Sequence, residues 1–189
     1  MSHYEPIRDL ALSQYAVECD NSFSSPHFHQ CLEMIYVLRG KMKISIESNT
    51  KYLGKDEIAF IPGLKEHCNE PSELYPTRSI HIVTQLHFCP EFLHAYNGKE
   101  VPDFLLDRAF NRTLLYNFKK LIDAVDSENK VLLIGHLNVI LGNILTHYAY
   151  AEEDRPKRLK EDLLMDIIRY INDNFRQPLT LEMLARKFG

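Results

Sequence analysis

The sequence predicts an α+β chain in which an antiparallel β-barrel or sandwich comes first and amphipathic helices follow. Three observations carry this. Up to about Phe88 the apolar residues fall in short runs or in strict alternation, as strands require. Turn-forming residues separate those runs at short intervals, the spacing of an all-β sandwich or barrel. After Pro102 the apolar period lengthens to that of a helix.

Taken in order, Leu32–Leu38 reads as a buried strand, Arg39-Gly40 as a hairpin turn, and Met42, Ile44 and Ile46 as the inward face of the next strand. Further strands are expected at Glu57–Ile61 and Arg78–Leu86, with turns at Ser48-Asn49, Gly54-Lys55-Asp56 and Pro71-Ser72. Leu106, Phe110, Leu114, Phe118, Leu121 and Val125 form one helical stripe. Leu133, Leu137, Leu141, Ile144 and Tyr148 form a second, and Asp126–Lys130 makes the bend between them. This is a helical hairpin with a broad apolar face, suited to covering the barrel or to pairing with a second copy. Glu152–Arg158, charged and carrying Pro156, reads as a linker. Leu163, Ile167, Ile171 and Phe175 then form a third helical stripe, flanked by Leu164 and Ile168 and ending before Arg176-Gln177-Pro178. Thr180 offers an N-cap hydroxyl and Glu182 a first-turn negative charge to a last helix, whose apolar face is Leu181, Leu184, Ala185 and Phe188.

Composition narrows the function classes. With 189 residues, 45% hydrophobic, the chain can bury one good core and carry a helical appendage. A formal net charge of -4 is not that of a chain that coats nucleic acid, so any such role is local or lies outside these residues. Cys19, Cys31, Cys68 and Cys89 form no C-x-x-C pair, and the opening Met-Ser-His-Tyr is no signal peptide. The expectation is reduced thiols in a cytoplasmic protein. No apolar run is read as approaching the roughly 18–20 residues that span a bilayer, so no membrane partner is expected.

The chemistry concentrates at His27-Phe28-His29, Glu33, Gly40 and His67. Strand alternation puts His27 and His29 on one face, Glu33 rejoins it after a local irregularity, and His67 arrives from a later strand. Three imidazoles and a carboxylate suit a divalent transition metal, Zn, Ni, Mn or Fe. The same residues would equally serve as a polar-lined ligand pocket, or as satisfied polar groups at a barrel mouth. His87, His94, His136 and His147 lie outside the motif and are assigned to the surface or to helix faces.

His27-x-His29-x3-Glu33-x6-Gly40 resembles the first motif of the cupin family of small β-barrels. Gly54, Pro62, Gly63 and His67 resemble its second motif, with the proline-to-histidine spacing one residue longer and the closing asparagine displaced to Asn69. The tail, Ile167-x3-Ile171 through Phe175, then Pro178-Leu179-Thr180-Leu181 and Leu184-Ala185-x3-Gly189, resembles the start of the DNA-binding region of the AraC family of transcription regulators. There a small residue such as Ala185 lets two helices approach closely, and a glycine such as Gly189 accepts the left-handed backbone of the turn.

The resemblance implies a cupin-like antiparallel β-barrel or jelly roll over residues 1–100 and a dimerising helical hairpin over 101–151. A linker over 152–160 and the truncated start of a helix-turn-helix domain over 161–189 would follow, with the recognition helices beyond it. It further implies a barrel that accepts a small-molecule effector, a sugar among the classes expected, lined by His27, His29, Glu33, Tyr36, Phe60, His67 and His81, with Gln85 a further candidate. Effector binding would act on the hairpin or the arm Met1–Leu12, and so on the spacing of DNA-binding domains in a homodimer. No catalytic residue is assigned on this reading. The alternative is a metal-dependent cupin enzyme, a dioxygenase or isomerase, with His27, His29, Glu33 and His67 as ligands.

Overall fold

Strand β4 (Leu32–Arg39) is buried along its first six residues, because it lies between two different apolar layers. Its even-numbered residues Leu32, Met34 and Tyr36 pack on helices, whereas Ile35 and Val37 face a second sheet. Alternation along one strand therefore builds two cores.

The computed structural model describes residues 2–5, 15–151, 163, 166–167, 170–171, 174 and 177–188. The chain divides into two compact units, Met1–Ala151 and Glu152–Gly189. In the first, β1 (His3–Tyr4), β2 (Tyr15–Asp20) and β3 (Ser24–Phe28) precede β4, and β5 (Lys41–Ile46) and β6 (Asn49–Gly54) form the next hairpin. β7 (Ile58–Ile61), β8 (His67–Pro71) and β9 (Arg78–Thr84) follow. The strands form two five-stranded sheets, in the orders β1-β3-β8-β5-β6 and β11-β7-β4-β9-β2, where β11 is Phe104–Leu105. Apart from β1 on β3, every pairing in these sheets is antiparallel.

Between the sheets, Ile35, Val37, Met42, Ile44, Ile46, Leu53, Ala59 and Ile61 make one aliphatic core. Gly40 turns β4 into β5 at φ +78°, and a Cβ there would meet Pro76 O at 2.4 Å, so only glycine fits.

Helix α1 (Pro90–Tyr96) precedes the short strand β10 (Lys99–Glu100), and the hairpin is α2 (Arg108–Asp126) and α3 (Lys130–Tyr148). Asp107 and Asn129 cap the two long helices by accepting from Phe110 N and Leu132 N. Leu114, Phe118, Leu121, Leu133, Leu137 and Leu141 pack on the outer face of β4, β7 and β9, with the Phe118 ring 5.1 Å from that of Tyr36. A polar clamp fixes the register: Tyr36 Oη donates to Asp56 Oδ1 at 2.9 Å, Arg112 pairs with Asp56 Oδ2, and Arg108 pairs with Glu57. Asn111 Nδ2 adds two bonds, to the carbonyls of Asp56 and Leu105.

Three expectations need correction. Tyr36 and Phe60 do not line the barrel interior; β4 and β7 turn them outward, where they are buried against the hairpin. Phe104 and Leu105 belong to a strand paired with β7, so helix α2 starts only at Arg108, behind its Asp107 cap. And α3 is, by length and composition, long and apolar enough to cross a membrane, although Leu133, Leu137, Ile140, Leu141 and Ile144 are buried in the core. Neither α1 nor the short pair β10 with β12 (Tyr150–Ala151) was legible in the apolar pattern.

In the second unit, Leu163, Asp166, Ile167, Tyr170, Ile171 and Asn174 are helical and a helix spans Leu181–Phe188. Thr180 Oγ1 accepts from Met183 N at 3.2 Å, the expected N-cap bond, and the Tyr170 and Phe188 rings meet edge to face at 5.6 Å. Ala185 is exposed on this helix. The expected linker, most of the arm Met1–Leu12, Leu164, Ile168, Phe175 and Gly189 lie outside the described residues.

Candidate metal centre

Beyond the aliphatic core, the space between the sheets is filled by polar side chains that are almost completely buried. His27 stands near the end of β3 and His67 opens β8, paired with it across the sheet, while Glu33 enters from β4 in the facing sheet. His29 lies just past β3, in the loop that leads into β4. That loop is held by the Pro62-Gly63 turn: Leu64 N donates to His29 O at 2.7 Å, and a Cβ on Gly63 would stand 2.2 Å from Gln30 O. Glycine at 63 is thus the condition for the second motif to close over the first.

One ligand atom from each of His27, His29, Glu33 and His67 lies within 4.8 Å of all the others, and all four residues are buried. Each imidazole is oriented from behind. His27 Nδ1 donates to Ser25 O at 2.8 Å, His67 Nδ1 to Lys65 O at 2.8 Å and His29 Nδ1 to Cys31 O at 3.1 Å. A carbonyl oxygen has no proton to give, so these bonds assign Nδ1–H in all three rings and turn every Nε2 inward. This is the arrangement in which metal-binding histidines are held by outer-shell hydrogen bonds.

The inward atoms are poorly matched to one another without a cation. His29 Nε2 and His67 Nε2 stand 3.1 Å and 3.3 Å from the same oxygen, Glu33 Oε2, and His27 Nε2 is buried with no hydrogen-bond partner. With Nδ1 already carrying a proton, Nε2 can donate to that carboxylate only from a doubly protonated ring, and a neutral ring would meet it lone pair to lone pair. Two ligand atoms about 2.1 Å from one ion on adjacent positions would lie roughly 3.0–3.4 Å apart, which is the spacing of these two contacts to Glu33. The donor set therefore fits a divalent transition metal, and burial of an otherwise orphaned Nε2 is the feature that a metal would resolve.

The other oxygen of Glu33 is 3.4 Å from His81 Nδ1, and His81 Nε2 is 3.0 Å from Ser79 Oγ. Burial raises the carboxyl of Glu33, but the imidazoles of His29, His67 and His81 around it outweigh burial and hold the group well below the usual carboxylate range. Burial likewise lowers His81, yet its bonds to Cys19 and Glu33 prevail and push it up to about 9. His27 is lowered, by burial first and the neighbouring His67 second, so it stays neutral. Cys19, cross-strand partner of Ser79, has its Sγ 3.9 Å from Ser79 Oγ and its thiol lowered: burial raises it, and His81 overcomes that.

The structure thus brings His27, His29, Glu33 and His67 together and sets His81 behind Glu33. Tyr36 and Phe60 stand on the far side of the sheet, and Gln85 lies past the end of β9. Asn69 is buried nearby but does not join the cluster; its amide bonds Ser22 and Ser24 instead. Cys19 and Ser79 were not singled out by the sequence, because a lone thiol and a lone hydroxyl on separate strands carry no spacing signal.

No protein-family model matches the chain. Among solved structures, it is similar to a cupin-like protein of Thermotoga maritima, at 19% identity over 42% of this chain and 62% of that one, with a TM-score of 0.37. It is also similar to an RmlC-like cupin of Shewanella frigidimarina, at 18% identity over 37% of this chain and 64% of that one, with a TM-score of 0.33. Oxalate decarboxylase of Bacillus subtilis, which has Mn(II) centres, matches at 15% identity over 41% of this chain and 23% of that one, with a TM-score of 0.31.

Among curated proteins the chain is 25% identical, over 94% of its length, to the uncharacterized HTH-type transcriptional regulator YdiP of Escherichia coli K12. It spans 61% of that relative's length.

Proposed function

We propose that the chain is the effector-sensing and dimerising part of a DNA-binding transcription regulator of the AraC type, working in the cytoplasm. The likeness to YdiP, which runs through both the β-sandwich and the helical tail, carries this reading. The cupin-like barrel is the sensor, and His27, His29, Glu33 and His67 would hold a divalent cation. When bound, that ion would offer a Lewis-acidic anchor to an oxygen-bearing small molecule, a sugar among them.

The chain's own residues supply a route outward. Glu33 faces the polar cluster, and three residues along the same strand Tyr36 bonds Asp56 and touches Phe118 of α2. A shift of β4 by a fraction of an ångström thus reaches both arms of the clamp that seats the hairpin. The outward face of α3 is the dimer surface in this reading. Val131, Leu132 and Val139 are exposed there, and a Cβ on Gly135 or Gly142 would meet nothing within 4 Å, which leaves room for a partner helix.

The test is selection of bound sequences from random DNA, using the protein expressed from its whole reading frame, with and without Mn(II) or Zn(II). Enrichment of a repeated half-site is expected, and a pool with no enriched sequence under either condition would remove the regulator reading.

A second reading, a metal-dependent dioxygenase or isomerase, is favoured by the orphaned His27 Nε2 and the tight histidine spacing. Turnover of small polar substrates by the metal-loaded chain, abolished by Glu33→Gln, would establish it.

A further inference from the structure

We propose that Glu5 supplies a second carboxylate to the centre, so that the N-terminal strand and the divalent cation hold each other in place. This rests on the metal-centre reading above. Strand β1 is only two residues long and pairs in parallel with β3, His3 against His27 and Tyr4 against Phe28. Glu5 N donates to Phe28 O at 3.0 Å, the Tyr4 ring lies 5.4 Å from that of Phe28, and Gln30 Nε2 donates to Tyr4 Oη at 3.3 Å. These contacts deliver the Glu5 side chain to the His27 side of the polar cluster. There its Oε2 stands 4.0 Å from His27 Nε2, the buried nitrogen that no hydrogen bond satisfies, while its Oε1 is 3.3 Å from His3 Nε2.

A separation of 4.0 Å is too long for a hydrogen bond. It falls inside the span of about 3.0–4.2 Å open to two atoms that each sit about 2.1 Å from one ion. Charge points the same way. Three neutral imidazoles and the Glu33 carboxylate would leave a buried divalent cation with at least one uncompensated positive charge, and Glu5 brings a further carboxylate to within 4.0 Å of His27 Nε2. A second carboxylate also adds oxygen to a nitrogen-rich set, which suits Mn(II) or Fe(II). A two-residue strand has too few ladder bonds to stay docked firmly by itself, so its docking is free to respond to the ion. By linkage, whatever the docked strand adds to cation affinity, the cation returns to docking.

The experiment is calorimetric titration of metal-free protein with Mn(II) and with Zn(II), on the unmodified chain, Glu5→Gln, Glu5→Asp and the His27→Ala/His29→Ala double variant. Hydrogen exchange at the Glu5 amide is followed in parallel. The Glu5 side chain is 29% exposed, and the single variants are expected to stay close to the cation-free thermal midpoint of the unmodified chain. Glu5→Gln is expected to weaken binding about 10–100-fold, with Glu5→Asp in between. The cation is expected to slow exchange at the Glu5 amide in the unmodified chain and not in Glu5→Gln. Binding that the double variant loses but Glu5→Gln leaves within twofold, or amide exchange indifferent to the cation, would overturn this inference and leave the metal centre standing. A chain that binds neither ion would overturn both.

Discussion

His81 Nδ1 lies 3.4 Å from Glu33 Oε1, the oxygen that His29 and His67 do not touch, so the carboxylate is held from two sides at once. One side can accept a cation; the other already has a buried imidazole. The consequence is a Glu33 fixed in position and charge before any ligand arrives, as preorganised sites require.

That pair sets a pH dependence for the metal-free protein. His81 is raised in the folded state to about 9, so its contribution is fully present below the unfolded value near 6.5 and is lost as pH climbs toward 9. His27 is lowered, so its contribution is present above about 6.5 and is lost as pH falls through its folded value. Glu33, lowered as well, adds stability that is lost only in stronger acid. Urea midpoints should therefore fall on both sides of a maximum near pH 6.5. The stability gap between the unmodified chain and His81→Gln should narrow by on the order of 2–3 kcal/mol between pH 6.5 and 9. A gap that stays constant over that range would count against the imidazolium assignment.

Cation binding should stabilise the fold by mass action. At a free ion concentration one hundred times the dissociation constant the gain is about 2.7 kcal/mol, seen as a rise of several degrees in the thermal midpoint. His27→Ala/His29→Ala should show no such rise with Mn(II) or Zn(II), because it removes two of the four clustered ligand atoms.

Gly63→Ala tests the join between the two motifs. Its Cβ would stand 2.2 Å from Gln30 O, an atom of the backbone that cannot swing aside, so the loop carrying His29 must shift. A loss of about 1–3 kcal/mol is expected, together with weaker cation binding measured by calorimetry.

Tyr36→Phe separates the hairpin core from the centre. The change removes the Oη–Asp56 bond and leaves one buried carboxylate oxygen without its neutral donor, at a cost of about 1–2 kcal/mol in urea denaturation. Cation affinity should stay within twofold, because the ring faces α2. A large loss of affinity would place Tyr36 in the pocket after all.

Leu132→Lys with Val139→Lys puts charge on the exposed face of α3. Sedimentation should show the unmodified chain as a dimer at micromolar concentration and the variant as a monomer with an unchanged thermal midpoint; equal sedimentation would move the dimer interface elsewhere.

The local patterns were legible because they depend on spacing alone. Alternation in Met42, Ile44 and Ile46 and the helical stripe from Phe110 to Val125 report which side of an element is apolar, and His27-x-His29-x3-Glu33 reports side chains that one turn can gather. Spacing does not say which apolar layer a side chain meets. Tyr36 and Ile35 are both fully buried neighbours on β4, yet one packs on the hairpin and the other between the sheets. The sequence by itself determined the strands around Leu32–Leu38, Met42–Ile46, Glu57–Ile61 and Arg78–Leu86, the two long helices, the turn at Gly40 and the grouping of His27, His29, Glu33 and His67. Only the tertiary structure decided that Tyr36 and Phe60 face away from the centre, that His81 backs Glu33, and that Glu5 reaches His27. Those relationships are contacts between strands far apart in the chain, set by sheet order and register, and no local periodicity encodes them.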